Sequence, residues 1–453
     1  MANSRKFRSA DLTERVSAEM LPLLPAQSSI LIGLSGGVDS VVLLHLLHNL
    51  SAQFNWQLSA LHVHHGISAN ADAWRDFCVE LCARLKIPLL IKDVDIAPLR
   101  EMGIEAAARK LRYEAFAGQQ CDFVALAQHT DDQAETLLLQ LLRGAGIRGA
   151  SAMPQMIHRS GTASLVRPLL HYSRTELLAY ADENDLQWIE DESNQDDRYP
   201  RNYLRHRVLP LLDEKFPAYR NTLSRSAAHF AEASILLDEL AEHDAKHAIV
   251  GETLSVLVLR ELSVVRAKNL FRYFLHHLGH RMPQAIQLDE MLAQLCGARE
   301  DAEVCIVNGD LEIRRYQDRV YALHALADFD RDLVLPWNGE EKLEWPALNT
   351  ILCFKYMQGL GVSIEKLKSF PVTLRLRQGG ETMRLGQNAS NRTLKNLMQE
   401  QRIPPWRRDR MPLLFCGDEL VCVPGVGVVA AYRAKADEAA VQLELRDAFT
   451  GDS

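Results

Sequence analysis

The sequence predicts an α/β protein in which a doubly wound, mainly parallel sheet is followed by a mainly helical domain and a small mixed α+β domain. Three observations predict this. Short apolar runs alternate with helical segments as far as about residue 190, as in a parallel sheet covered by helices on both faces. The pattern then becomes helical, and basic charge concentrates in the last part of the chain. We place the domains at 1–215, 216–330 and 331–453, with a linker near 331–365.

Length and composition are typical of a soluble enzyme with two or three domains. The chain has 453 residues, of which 47% are hydrophobic and 24% charged, enough to bury full cores. No apolar run approaches a membrane span and the N-terminal segment lacks a signal-peptide core, so we expect a cytoplasmic protein. The eight cysteines form no C-x-x-C pair, which disfavours zinc, iron–sulfur and disulfide frameworks. The net charge of −8 argues against indiscriminate nucleic-acid binding but not against a local basic face.

The first predicted strand, at 30–34, leads into a Ser/Gly loop and then a helical segment at 41–47. The loop residues are Ser35, Gly36, Gly37, Val38, Asp39 and Ser40. Strand, tight loop and helix together point backbone N–H groups at an anion, which predicts a phosphate cradle. The loop lacks the lysine of a Walker A site, and a carboxylate beside phosphates requires a divalent cation such as Mg²⁺ between them. The alternative is an ordinary turn with a helix-capping aspartate.

The second predicted strand, at 60–64, ends in the sequence His64-His65-Gly66. Two histidines are a candidate metal site, but neighbouring strand side chains point to opposite faces, which disfavours coordination of one ion by both. We expect the His64 ring to lie near the nucleotide and Gly66 to permit the turn, because ligands gather at the carboxyl ends of the strands in such sheets.

The next elements are predicted helices at 71–86 and 105–116 and predicted strands at 89–91 and 123–127. On the second helix Arg109 and Arg112 share a face, which suits either phosphate binding or a solvated basic helix.

Two acidic residues follow the fourth strand. Asp132 and Glu135 are three apart and share a helical face, from which they could share Mg²⁺, orient an amine or accept its proton. We expect Asp131 to cap the helix at 134–143, and capping does not account for both of the other carboxylates.

A further polar cluster spans 188–205, and its composition is unusual for a connector. The loop at 35–40 resembles that of the N-type ATP pyrophosphatase (PP-loop) superfamily, whose members cleave ATP between the α and β phosphates and adenylate an oxygen. This loop, the segments 109–113 and 129–136, and the cluster at 188–205 together resemble the tRNA(Ile)-lysidine synthetase family. The matching D-x-S-N and R-N-x-x-R residues are Asp191, Ser193, Asn194, Arg201, Asn202 and Arg205.

The remainder of the chain extends the resemblance. Helical segments at 226–249 and 266–278 predict the second domain, which also includes 312–316. The C-terminal basic residues are Arg375, Arg377, Arg384, Arg392, Lys395, Arg402, Arg407, Arg408 and Arg410. With Trp406 among them they suit phosphate neutralisation and base stacking, although a solvated basic face with a buried tryptophan is the alternative. Segments 377–381 and 395–413 are similar to the family's C-terminal tRNA-binding domain.

The resemblance implies a two-step reaction on the wobble cytidine of an isoleucine tRNA with the anticodon CAU. The C2 carbonyl oxygen attacks the α-phosphate of ATP and pyrophosphate leaves; the ε-amine of free lysine then attacks C2 and expels AMP. ATP, Mg²⁺, lysine and tRNA are therefore the implied cofactors and partners, and a homodimer fits the family although no heptad pattern supports one. The alternatives are a tRNA thiolase of the same superfamily, whose best-known cytidine-modifying members carry a C-x-x-C pair, and a non-catalytic tRNA-binding protein.

Residue roles follow from the same resemblance. The residues implied to hold ATP are Ser35, Gly36, Gly37, Val38, Asp39, Ser40 and His64, with Asp39 acting through Mg²⁺. Asp132 and Glu135 would bind or deprotonate the lysine ammonium, since only the neutral amine is a nucleophile and its ordinary pKa is about 10.4. Arg112 and Arg205 would stabilise the charge of the intermediate. The residues implied to bind tRNA are Arg201, Arg377, Arg392, Lys395, Arg407 and Arg408.

Overall fold

The computed structural model describes residues 9–66, 68, 70–159, 161–299, 302–324, 329–348 and 350–447. The chain divides into two compact units, 1–240 and 241–453. Among the described residues, no helix has the length and apolar character needed to cross a membrane.

The first unit is built on a six-stranded sheet. Its strands are β1 (Ser29–Gly33), β2 (Gln57–His64), β3 (Leu89–Asp93), β4 (Phe123–Ala125), β5 (Met156–Ile157) and β6 (Ser164–Val166). The strand order is β3-β2-β1-β4-β6-β5, and every pairing is parallel except that of β5 with β6. The four strands predicted from the sequence are β1 to β4, so the doubly wound, mainly parallel fold is confirmed. Strands β5 and β6 were not predicted, because two or three residues are too few to show a period.

Helices cover both faces of this sheet. The helices of the first unit are α1 (Ser9–Met20), α2 (Val38–Phe54), α3 (Ala71–Leu85), α4 (Ile104–Ala117), α5 (Thr130–Leu142), α6 (Ile147–Ala150), α7 (Arg174–Glu183), α8 (Pro200–Tyr203), α9 (Leu209–Lys215) and α10 (Tyr219–Ala248), the last of which extends into the second unit. Alternate residues of β1 point to opposite faces. Ile30 and Ile32 join the core that includes Leu46 of α2 and Leu177 of α7, whereas Leu31 joins the core on the α4 side.

The second unit begins with a five-stranded antiparallel sheet and three helices. Its elements are β7 (Ile249–Val250), β8 (Thr253–Ser255), α11 (Val256–Glu261), α12 (Val264–His277), α13 (Ala285–Gly297), β9 (Val304–Asn308), β10 (Leu311–Tyr316) and β11 (Arg319–His324). The strand order is β7-β8-β11-β10-β9. The helix predicted at 266–278 is α12, but the sheet was not anticipated. Strand β10 buries Glu312 and Arg315, and the Arg315 guanidinium donates to the carbonyl oxygens of Leu295 and Ala298. Because buried positions of this strand carry charged residues, its sequence does not show the alternation of apolar and polar residues that predicts a strand.

The rest of the second unit mixes short helices with antiparallel sheets, as the α+β prediction requires. Its strands are β12 (Val334–Pro336), β13 (Lys342–Trp345), β14 (Thr350–Gln358), β15 (Val362–Ser363), β16 (Val372–Arg375), β17 (Thr382–Met383), β18 (Arg392–Thr393), β19 (Leu413–Cys416), β20 (Glu419–Val423), β21 (Gly427–Val428) and β22 (Ala439–Asp447). Its helices are α14 (Ile364–Leu367), α15 (Leu394–Glu400) and α16 (Pro405–Arg408). The sheets have the orders β12-β16-β19-β20-β21, β13-β14-β22-β15 and β17-β18.

Candidate active site

A cleft of about 1270 Å³ opens at the carboxyl ends of β1, β2 and β4. Ligands of doubly wound sheets bind at this edge. The cleft brings together residues predicted from separate motifs of the first unit, and the following predicted site residues line it: Ser35, Gly37, Val38, Asp39, Ser40, His64, Arg112, Asp132, Glu135, Arg201 and Arg205.

The loop between β1 and α2 has a backbone that glycine makes possible. Gly36 has a φ of +91°, and a Cβ at this position would lie 2.7 Å from Cδ1 of Ile189. The Ile189 N–H donates to the Gly36 carbonyl at 2.9 Å. The hydroxyl of Ser40 accepts from the N–H groups of Ser35 and Gly36 and donates to the Gly37 carbonyl. Ser40 therefore holds the turn together, and the N-terminus of α2 faces the cleft with its positive dipole.

Asp39 and Asp132 lie on either side of a buried histidine. His129 Nε2 is 3.5 Å from Asp39 Oδ2 and 3.5 Å from Asp132 Oδ2, and the His129 side chain is only 2% exposed. Burial works to lower the pKa of His129, but Asp132, Asp39 and Asp131 outweigh it and raise that pKa. Burial likewise works to raise the pKa of Asp39, but His129 and nearby arginines lower it. His129 opens the 129–136 motif that the sequence singled out, but no role was predicted for it.

One oxygen atom in the cleft, Oδ1 of Asp39, is suited to bind a divalent cation. Oδ1 of Asp39 is buried and has no hydrogen-bond partner in the described part of the chain. A buried carboxylate oxygen without a partner is costly, and hard cations such as Mg²⁺ take oxygen ligands. Asp39 therefore fits the predicted metal role.

Two arginines hold the carboxylate pair. Arg201 donates from Nε to Glu135 Oε2 at 2.6 Å and from a terminal nitrogen to Asp132 Oδ1 at 2.7 Å. Arg205 donates from Nε to Glu135 Oε1 at 2.7 Å. The Glu135 side chain is 1% exposed. Burial works to lower the pKa of Arg205, but Glu135 and Asp132 raise it. Arg201, which the sequence assigned to tRNA, thus lies inside the cleft.

The expected capping role of Asp131 is wrong. Helix α5 begins at Thr130, and Asp132 Oδ2 accepts the N–H of His129 at 3.0 Å. Asp131 instead accepts the N–H of Arg174 at the start of α7, and its other oxygen accepts from Arg220. His129 is therefore the N-cap of α5, with Asp132 completing a capping box, and Asp132 also binds Arg201.

The remaining first-unit predictions occupy the walls of the cleft. Burial, with the nearby Arg109, lowers the pKa of Arg112. Burial, with the Arg112 charge, lowers the pKa of His65 to about 4. His64 lies 3.3 Å from Asp93 and 3.4 Å from Asp72. The side chains of Ser193 and Asn194 lie outside the described part of the chain, and Asn202 donates to the Asp196 carbonyl.

The predicted tRNA-binding residues of the second unit differ in exposure. Lys395 and Arg407 are exposed, whereas Arg392 is paired with Glu400 and Arg377 lies 3.6 Å from Glu381.

Arg408 is a correction to that set. It is 6% exposed, and its guanidinium donates to the Ile403 carbonyl at 2.6 Å and to the Tyr316 hydroxyl at 2.9 Å. Trp406 packs edge-on against Tyr321, with ring centroids 5.2 Å apart. Both side chains are committed to packing within the second unit rather than to a phosphate or a base.

Three family models match the chain. The PP-loop domain matches residues 10–212, the TilS substrate binding domain matches 254–321, and the TilS substrate C-terminal domain matches 372–445. The tRNA(Ile)-lysidine synthase of Nitrosomonas europaea is 42% identical over 430 residues, which cover 94% of each chain. That of Coxiella burnetii is 39% identical over 431 residues, covering 94% of this chain and 95% of the relative. A solved U34-tRNA thiolase from Methanococcus maripaludis aligns with a TM-score of 0.43 at 19% identity, covering 49% of this chain and 78% of that one.

Proposed function

This chain belongs to the tRNA(Ile)-lysidine synthase family, and from that membership we propose how its residues divide the work of the reaction. The enzyme uses ATP to form lysidine on a tRNA. In full, the C2 oxygen of the wobble cytidine of tRNA(Ile) is adenylated with loss of pyrophosphate, and free L-lysine then displaces AMP at C2. One observation carries the assignment of roles: the phosphate loop and the Asp132/Glu135 pair line one cleft.

The first step belongs to the loop end of the cleft. Backbone N–H groups at the start of α2 bind the ATP phosphates, and Asp39 Oδ1 holds Mg²⁺, which when bound neutralises phosphate charge. Arg112 on the opposite wall stabilises the negative charge that develops as the cytidine C2 oxygen bonds to the α-phosphorus and the bond to pyrophosphate breaks. Arg205, held by Glu135, adds a second fixed cation, and His64 lies beside the nucleotide.

The second step belongs to the carboxylates. Both oxygens of Glu135 already accept from arginines, and that side chain is almost fully buried. Asp132 is more accessible, and one of its oxygens binds only guanidinium groups. We therefore assign the lysine ammonium to Asp132, where it replaces the Arg201 guanidinium. Asp132 then accepts the ammonium proton, the neutral amine bonds to C2 and releases its second proton to solvent, and the C2–O bond breaks so that AMP leaves.

The second unit and α10 supply tRNA binding. We keep the division at 1–215, 216–330 and 331–453 as a proposal, with Lys395, Arg407, Arg377 and Arg392 as the phosphate contacts. A methionine tRNA has the same CAU anticodon. These surfaces would therefore recognise tRNA features outside the anticodon. A tRNA-modifying enzyme of this kind acts in the cytoplasm.

The test is incorporation of radiolabelled lysine into purified tRNA(Ile) with a CAU anticodon, with and without ATP, and with methionine tRNA as the control. We expect ATP-dependent label on the isoleucine tRNA alone. AMP release without lysine incorporation would instead indicate another nucleophile, such as the sulfur donor of a thiolase.

A further inference from the structure

The helical segment at 200–215 has two faces, and only one of them serves the cleft. Arg201 and Arg205 point inward to Glu135, and Leu209 is buried beside them. The other face carries Tyr203, Arg207 and Leu211. Tyr203 is 52% exposed, Leu211 is 65% exposed, and Arg207 is exposed as well. We call Tyr203, Arg207 and Leu211 the outer face.

We propose that the outer face binds the bases that flank the wobble cytidine in the anticodon loop. This inference rests on the proposed function, because that function requires the wobble base to enter the cleft. His206 and Pro210, which alternate in sequence with the outer-face residues, line the cleft together with Asp213. The outer face therefore adjoins the cleft, within reach of the nucleotides next to an inserted base.

The chemistry of the outer face suits unstacked bases. Large aromatic and aliphatic side chains left exposed beside a binding site mark an interaction surface. Single-stranded RNA is recognised by stacking on aromatic rings and guanidinium planes. Arg207 Nε donates to Asp197 Oδ2 at 2.9 Å, which holds the guanidinium in place. Because this acidic partner offsets the arginine charge, the outer face favours bases over backbone phosphates.

A turn of π-helix lies within the segment. Residues Leu204–Val208 form it between α8 and α9. A π-turn widens the helix locally and occurs often at functional sites. Here the turn carries both Arg205, which contacts Glu135, and Arg207 of the outer face. Binding of the loop and assembly of the catalytic groups thus involve the same turn.

The test compares Leu211→Glu and Tyr203→Ala with a matched control. Leu21, which follows α1, is 55% exposed, so Leu21→Glu introduces the same charge at a similarly exposed leucine elsewhere in the first unit. We measure the Kd of an anticodon stem-loop and the KM for full-length tRNA(Ile). Tyr203→Ala is expected to raise both the Kd and the KM about tenfold, the effect of one lost base stack, and Leu211→Glu should also raise both because it places a carboxylate against the RNA. Leu21→Glu should stay near wild type, and the Kd for ATP should not change in any variant.

Two results overturn the proposal. One is an anticodon stem-loop affinity in the outer-face variants equal to that of Leu21→Glu. The other is a change in sedimentation without a change in tRNA affinity, which would assign the outer face to contact between copies of the chain. Lysidine formation by the unaltered enzyme is recorded separately, so failure of the proposed function is distinguishable from failure of this surface.

Discussion

Replacing Glu135 with glutamine tests whether this carboxylate is the scaffold of the site rather than the group that binds the amine. The wild-type side chain accepts from Arg201 at 2.6 Å and from Arg205 at 2.7 and 3.0 Å. Glutamine removes the negative charge and turns one acceptor into a donor that faces guanidinium groups. Breaking a buried pair on one side costs about 3–5 kcal/mol. Because both arginines keep Asp132 as a partner, we expect about 3 kcal/mol.

The assay is thermal unfolding together with two activity readouts. A loss of about 3 kcal/mol lowers the unfolding midpoint by about 6–12 °C in a unit of this size. Since Arg205 loses its fixed position, Glu135→Gln should impair both tRNA-dependent pyrophosphate release and lysine incorporation.

Asp132→Asn is the matched comparison. It should allow pyrophosphate release on tRNA while sharply reducing lysine incorporation, because the amine loses its counter-ion and its base. A Glu135→Gln enzyme with wild-type stability, or with normal pyrophosphate release and a defect confined to lysine, would refute this division of roles.

Three further predictions concern the loop, the basic segment and pH. Gly36→Ala should raise the KM for ATP at least about tenfold, because its Cβ meets a side chain, whereas Gly144→Ala, also at positive φ but in open space, should leave that KM unchanged. Arg408→Ala should lower the free energy of unfolding by about 2 kcal/mol, measured by thermal unfolding. Arg407→Ala should leave that stability unchanged and weaken tRNA binding, measured by filter binding. The pKa of His65 is about 4 in the folded protein and about 6.5 in the unfolded chain. As the pH falls from 6.5 to 4 the unfolded chain binds this proton first, so the free energy of unfolding decreases. His65→Gln should make the free energy of unfolding less dependent on pH in this range.

The parts of the site that depend on local sequence could be predicted. The loop at 35–40 combines a strand, two glycines and a helix within a few residues, and the Asp132/Glu135 pair needs only helical spacing. The partners of that pair could not be predicted, because Arg201 reaches Glu135 across 66 positions of sequence. The sequence does not distinguish an arginine that binds a phosphate from one that binds a buried carboxylate.

The same limit explains the basic C-terminal segment. Arg407 and Arg408 are neighbours with identical side chains, yet one is exposed and the other is enclosed by Tyr316 and the Ile403 carbonyl. The difference arises from the packing of α16 against strands β10 and β11. Because β10 buries the charged residues Glu312 and Arg315, its sequence lacks the hydrophobic alternation that would indicate a strand.

The presence of Arg201 in the proposed amine site has a chemical logic. Two carboxylates enclosed in one cleft need a cation as a partner, because a buried negative charge without one is costly. An arginine supplies that positive charge without reacting, since its guanidinium is not deprotonated in proteins. Lysine differs in one respect that matters: its ordinary pKa of about 10.4 lets it give up a proton and become a nucleophile. The carboxylate pair can therefore bind either cation, but only lysine can react with the adenylated base.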